Sequence, residues 1–174
     1  MAMNLGVERE MNMDTAYVSI GSNMDREANV RRVMAELRRR FGDVQASGVY
    51  ESASMGFDGP AFFNLVAGFA TDLEPSDLVA QLRDIEDQCG RDRTQPRFSS
   101  RPMDIDLLLL GDRQGDFGRI RIPRDEILHA PFVLVPLVDL IPDRYHPIAG
   151  SSYRELLANM SIGKSDIWQV DLQA

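Results

Sequence analysis

The sequence predicts an α+β domain, and two observations support that expectation. Apolar residues switch between a period of two and a period of 3.6 in the order strand, helix, strand, strand, helix, strand, and glycine or proline marks the changes. A βαββαβ order is the split pattern of a ferredoxin-like core: an antiparallel or mixed sheet flanked by helices as an α/β/α sandwich.

Each element has its own signal. Ala16, Val18 and Ile20 alternate along Thr15–Ile20 and give way to Gly21-Ser22-Asn23, a strand ending in a turn. From Asp25 onward Val30, Val33, Met34, Leu37 and Phe41 recur at helical spacing, opposite Arg31, Arg32, Arg38 and Arg39, and Gly42 supplies the stop. Val44–Ser52 and Phe62–Leu73 are rich in β-branched and aromatic residues and read as paired strands around the loop Ala53–Pro60. Pro75 and Ser76 open a second helix with the stripe Leu78, Val79, Leu82, Ile85 and Cys89, closed by Gly90. Arg91–Pro102 has no apolar period and reads as a loop, and the run Ile105–Gly111 is short enough for a buried strand. Beyond it, Val133–Leu140 and Ser152–Asn159 read as helices among proline-punctuated turns.

Composition narrows the function classes. A chain of 174 residues, 44% hydrophobic and 26% charged, has the length and balance of one globular domain, expected over residues 15–174. Residues 1–14 have no apolar core of a signal peptide and are expected to be a disordered extension. The net charge of -8 argues against a protein built to neutralise nucleic-acid phosphates. No apolar run reaches the roughly 18 residues of a membrane helix. Cys89 is the only cysteine, which excludes an internal disulfide and fits a cytoplasmic location. A monomer is expected. Lys164 is the only lysine, so nearly all positive charge sits on arginine, the side chain suited to bidentate contact with phosphate oxygens.

The chemistry concentrates between Arg91 and Asp106. Arg91, Arg93, Arg97 and Arg101 lead into Asp104 and Asp106, which flank Ile105 at the start of the buried strand. Residues two apart on a strand share a face, so both carboxylates address one volume. Hard oxygen ligands of this kind suit Mg²⁺ when substrate phosphates complete its shell. Alone, the spacing also fits solvated strand-end acids or salt bridges to the arginines. The combination with an arginine-rich loop is what binding a polyphosphate requires. There is no Gly-x-x-x-x-Gly-Lys-Ser/Thr loop, so arginines and metal must do its work. His129 and His146, seventeen residues apart, lack metal-ligand spacing.

Five segments occur in an order that resembles the 6-hydroxymethyl-7,8-dihydropterin pyrophosphokinases: Ala16–Asn23, Phe63-Asn64, Arg101–Leu108, Ile122-Pro123 and Phe132–Pro136. The resemblance spans roughly residues 15 to 160 and implies transfer of pyrophosphate from ATP to the hydroxymethyl group of a reduced pterin, a step of folate synthesis. It implies that Asp104 and Asp106 hold two Mg²⁺ ions, with Arg91 and Arg101 beside them as catalytic residues. It further places Arg91, Arg93, Arg97, Phe98, Arg101 and Leu107 about the nucleotide, where Arg119, Arg121 or Arg124 of the adjacent segment could supply the charge that a family arginine carries at Ala130. Phe62 and Phe132 would sandwich the pterin, Asn64 would bond its edge, Ser52, Ala53 and Met55 would line its pocket, and Glu86 would support the site.

Three positions depart from the family pattern. Phe98-Ser99-Ser100 stands where many members have Trp-Gly-Pro, Pro123-Arg124 where Pro-His is common, and Ala130 where a phosphate-site arginine aligns. These departures motivate an alternative reading, a weak or inactive paralogue that binds pterin or regulates. A metal nuclease would need a continuous basic surface, against which the acidic net charge weighs.

Overall fold

The computed structural model describes residues 12–96, 100, 102–163 and 166–174. In chain order its elements are β1 (Asp14–Ser22), α1 (Arg26–Phe41), β2 (Val44–Ala46), β3 (Val49–Ser52), β4 (Phe62–Thr71), α2 (Pro75–Gln88) and β5 (Asp104–Leu110). A hairpin of β6 (Gly115–Phe117) and β7 (Ile120–Ile122) follows, then a 3₁₀ turn (Asp125–Leu128), α3 (Pro131–Leu140), α4 (Tyr153–Asn159) and β8 (Ile167–Val170). The large sheet runs β5-β1-β4-β3-β8, with β2 also on β4, and every pairing is antiparallel. This is the ferredoxin-like order expected of βαββαβ, with β8 added at one edge.

Strand alternation assigns each side chain to one of two layers. Ala16, Val18 and Ile20 of β1, Leu65, Ala67 and Phe69 of β4 and Ile105 and Leu107 of β5 form one core with Val30, Val33, Met34 and Leu37 of α1 and Leu78, Leu82 and Ile85 of α2. Tyr17, Val66, Leu108 and Leu109 face the other way and pack on Val133, Leu134 and Leu137 of α3 and Tyr153 of α4. Leu108 and Leu109 can share that face because the register slips between Tyr17 and Val18, which pair with Leu109 and Leu107 and leave Leu108 as the extra residue of a bulge. Gly68 sits opposite Tyr17, and a Cβ there would come within 2.8 Å of the tyrosine ring, so the ring lies across bare backbone.

The expected strand Val44–Ser52 is two strands. Ser47 interrupts the ladder, and its hydroxyl accepts from Val66 N at 2.9 Å. The short β6, β7 and β8 have no counterpart in the sequence reading. The N-terminal extension was expected to reach residue 14, but β1 begins at Asp14, whose carboxylate accepts from Arg113 at 2.9 Å. Residues 1–11 of that extension lie outside the described residues. Ser152 caps α4 with its hydroxyl accepting from Glu155 N and Glu155 returning a bond to Ser152 N, a full capping box. Among the described residues no helix is long and apolar enough to cross a membrane.

Candidate active site

Helix α3 covers only part of its face of the sheet. Beyond it two ladder rungs are exposed to a cavity of about 320 Å³. In one, Ser19 pairs with Asp106 on one side and Val66 on the other. In the next, Gly21 pairs with Asp104 and Asn64. Phe132 and Val133 at the start of α3 form one wall, and Ser52, Ala53, Met55, Phe57 and Phe62 form another. Arg124 and Glu126 close the side next to the aspartates.

The two acids are placed by the strand and by a buried glutamate from α2. Glu86 is 4% exposed, its Oε1 accepts from Ile105 N at 2.7 Å, and its Oε2 accepts from Arg93 at 2.9 Å. It therefore fixes the peptide between the two aspartates. Burial pushes the Glu86 carboxyl upward, partly offset by the Ile105 N–H. Asp106 is pushed up to about 6, first by burial and then by the neighbouring Asp104 charge, with Arg124 acting in the opposite direction. Arg91 lies 3.4 Å from Asp104 and donates to Met103 O at 3.2 Å, while Arg124 lies 3.3 Å from Asp106.

This chemistry fits a divalent cation. Two carboxylates on one strand face repel each other, and a cation between them relieves that repulsion. Among the described residues no three His, Cys, Asp or Glu side chains form a metal-holding group. A divalent ion held by these two carboxylates would take its remaining ligands from phosphate and water oxygens.

The organic half of the cavity is aromatic with one amide. Asn64 is 6% exposed, and its Nδ2 donates to Ser52 Oγ at 2.9 Å and more weakly to Phe62 O and Tyr50 O. Those bonds fix the amide plane at the cavity wall. Phe57 meets Phe62 edge to face, centroids 6.3 Å apart, and Ser54 Oγ holds the loop by donating toward Phe57 O and Gly59 O. Gly59 lets the Phe57 ring lie close to the backbone, since a Cβ there would come within 2.3 Å of the ring and force it to shift.

A sequence profile described as 7,8-dihydro-6-hydroxymethylpterin-pyrophosphokinase matches residues 17–142, which include every residue that lines the cavity. The chain belongs to that family. A 2-amino-4-hydroxy-6-hydroxymethyldihydropteridine pyrophosphokinase from Pseudomonas aeruginosa is 36% identical over 146 residues, covering 82% of this chain and 89% of the relative. One from Synechocystis is 32% identical over 158 residues, covering 89% and 80%. In the solved structures the fold recurs in Plasmodium falciparum HPPK-DHPS with pteroate, at a TM-score of 0.67 and 14% identity over 84% of this chain. This chain spans 42% of that longer protein.

Of the pyrophosphokinase residues expected from sequence, Ser52, Ala53, Met55, Phe62, Asn64, Asp104, Asp106, Arg124 and Phe132 line the one cavity. Arg91 touches it through Asp104. Arg93 instead pairs with Glu86 and Asp87, and Arg121 stands on the hairpin 3.7 Å from both Asp116 and Asp125. Arg119 lies in the hairpin's turn and does not line the cavity. Leu107 turns its side chain into the α1/α2 core, so only its backbone is available to a nucleotide. Arg97, Phe98 and Arg101 lie outside the described residues. Ser19, Gly21, Phe57, Glu126 and Val133 line the cavity without having been singled out; strand parity with Asp104 and Asp106 would have found the first two.

Proposed function

We propose that the cavity holds ATP and a reduced pterin side by side, and that the protein transfers pyrophosphate from ATP to the hydroxymethyl group of 6-hydroxymethyl-7,8-dihydropterin in folate synthesis. The observation that supports this most is the meeting of Asp104 and Asp106 with Asn64, Phe62 and Phe132 in one cavity, a charged half beside an aromatic one. In the pterin half Phe62 and Phe132 stack on the ring, each pair contributing about 1 kcal/mol beyond area burial. The pre-oriented Asn64 amide reads the ring's edge, and Ser52, Ala53 and Met55 close the pocket.

In the charged half Asp104 and Asp106 would hold two Mg²⁺ ions, which supply charge neutralisation to the phosphates. Arg91 and Arg124 stand beside those carboxylates, Arg93 and Arg119 lie on flanking turns and Arg121 on β7, and Arg97 and Arg101 precede the two acids in sequence; together these arginines would meet the phosphates. The hydroxymethyl oxygen attacks the β-phosphorus, the bond from that phosphorus to the α-phosphate oxygen breaks, AMP leaves and the hydroxyl proton is released. Rate then depends on orientation, because the protein offers alignment and fixed charge and forms no covalent intermediate. We further take residues 14–174 as one domain acting as a cytoplasmic monomer on these small molecules, without nucleic acid or membrane.

The test is AMP release from ATP and Mg²⁺ with and without 6-hydroxymethyl-7,8-dihydropterin. Release should require the pterin and should vanish in Asp104→Ala. Full activity in that variant would remove the metal assignment, and AMP formed without pterin would remove the acceptor.

A further inference from the structure

Arg124 is shared between two carboxylates. Its Nη2 lies 3.3 Å from Asp106 Oδ1 and 3.1 Å from Glu126 Oε1, so one guanidinium nitrogen bridges a member of the proposed metal pair and a side chain outside it. All three line the same cavity. A guanidinium and a divalent ion on the same carboxylate are like charges in contact, and that repulsion is strong wherever solvent is partly excluded. Glu126 gives the guanidinium a second acceptor on the nitrogen it already touches. The backbone is meanwhile anchored, with Arg124 N donating to Leu108 O of β5 at 3.0 Å and Ile127 N donating to Arg124 O at 3.2 Å. An exchange of partners therefore needs only side-chain rotation.

We propose that Arg124 is an internal cation that occupies Asp106 in the nucleotide-free protein and passes to Glu126 when Asp106 takes a divalent ion. The pair Arg124–Glu126 then sets how readily the site accepts metal. A free metal ion meets a competitor on Asp106. A metal–nucleotide complex meets less resistance, because its phosphates offer the displaced guanidinium a further anionic partner. This inference rests on the reading of Asp104 and Asp106 as metal-holding residues.

The experiment is Mn²⁺ binding followed by electron paramagnetic resonance at pH 8, without nucleotide. Arg124→Gln should tighten Mn²⁺ binding roughly three- to tenfold, the range set by a half-exposed ion pair. Arg121→Gln removes the same charge from the hairpin and should change affinity by less than about twofold. Glu126→Gln should weaken binding by roughly two- to threefold, and that loss should disappear in the Arg124→Gln background because Glu126 acts through Arg124. The exchange is overturned by unchanged or weaker binding in Arg124→Gln, by an equal effect of Arg121→Gln, or by a Glu126→Gln loss that is the same in both backgrounds. Asp106→Asn, measured with Mn²⁺ and a non-hydrolysable ATP analogue, separates the two readings. If it binds like wild type, the metal assignment fails and takes this inference with it. If it loses binding while the Arg124 and Glu126 variants give any of the overturning results, the exchange alone fails.

Discussion

The two faces of the sheet are made from alternate residues of the same strands, yet they do different work. Toward α1 and α2 every rung of β1, β4 and β5 is apolar and buried, from Ala16 through Ile20, Leu65 through Phe69, and Ile105 to Leu107. Toward α3 the same strands start apolar, at Tyr17, Val66 and Leu108, and then turn polar at Ser19, Asn64, Asp104 and Asp106. The change falls where α3 begins. Stability and chemistry are thus separated by parity along a strand rather than by position in the chain, and neighbouring residues serve different ends.

Substitutions of neighbours break or sharpen that contrast. Asp106→Ala should cut AMP formation by about 10³-fold or more, as expected when transition-state charge stabilisation is removed, and should leave thermal stability unchanged or raised because the repulsion with Asp104 is gone. Next to it, Ile105→Ala should lower unfolding free energy by about 2–5 kcal/mol in a denaturant titration, with the Michaelis constants little altered in the folded fraction. On β4, Leu65→Ala should behave like Ile105→Ala, whereas Asn64→Ala should weaken pterin binding by about 1–3 kcal/mol in calorimetry without changing ATP-analogue affinity. Equal stability losses for Asn64→Ala and Leu65→Ala would erase the distinction between faces.

The smallest effect tests the α3/α4 margin. His146 is buried, packs edge-on to Tyr153 and accepts at Nδ1 from Ile148 N and Ala149 N. Burial lowers its pKa, so below about pH 6.5 the unfolded chain binds the proton more readily than the folded protein does. Stability should fall as pH is lowered from 7.5 to 5.5, and His146→Asn should lose less over that interval. Parallel melting curves of the two proteins check it.

Much of this was legible in the sequence because the determinants are local. The helical stripes of α1 and α2 and the alternation of β1 report directly on which face is buried. The Asp104-x-Asp106 spacing places both acids on one face by strand geometry alone. What could not be read depends on contacts between distant segments. Phe57 sits in an aperiodic glycine-rich loop, and only the fold brings its ring against Phe62. Glu126 looks like one of several acids around a turn, and its meaning comes from Arg124 and Asp106 converging on it. Arg93 illustrates the reverse: charge composition suggests a phosphate ligand, while the buried Glu86 supplies a nearer partner. The three-residue strands β6 and β7 are too short to show a period, and β8 is defined by its pairing with β3.

The bulge at Leu108 has a consequence for changes in chain length. Deleting Ile105 would turn one of the two carboxylates from the cavity into the α1/α2 core, because strand parity counts residues and not identities. Removing Leu108 deletes only the residue already unpaired, so the N-terminal half of β5 can keep its phase with Ser19 and Gly21 while the C-terminal half keeps Leu109 beside Tyr17. Leu108 is therefore the position where this strand can gain or lose length while both acids remain in the site.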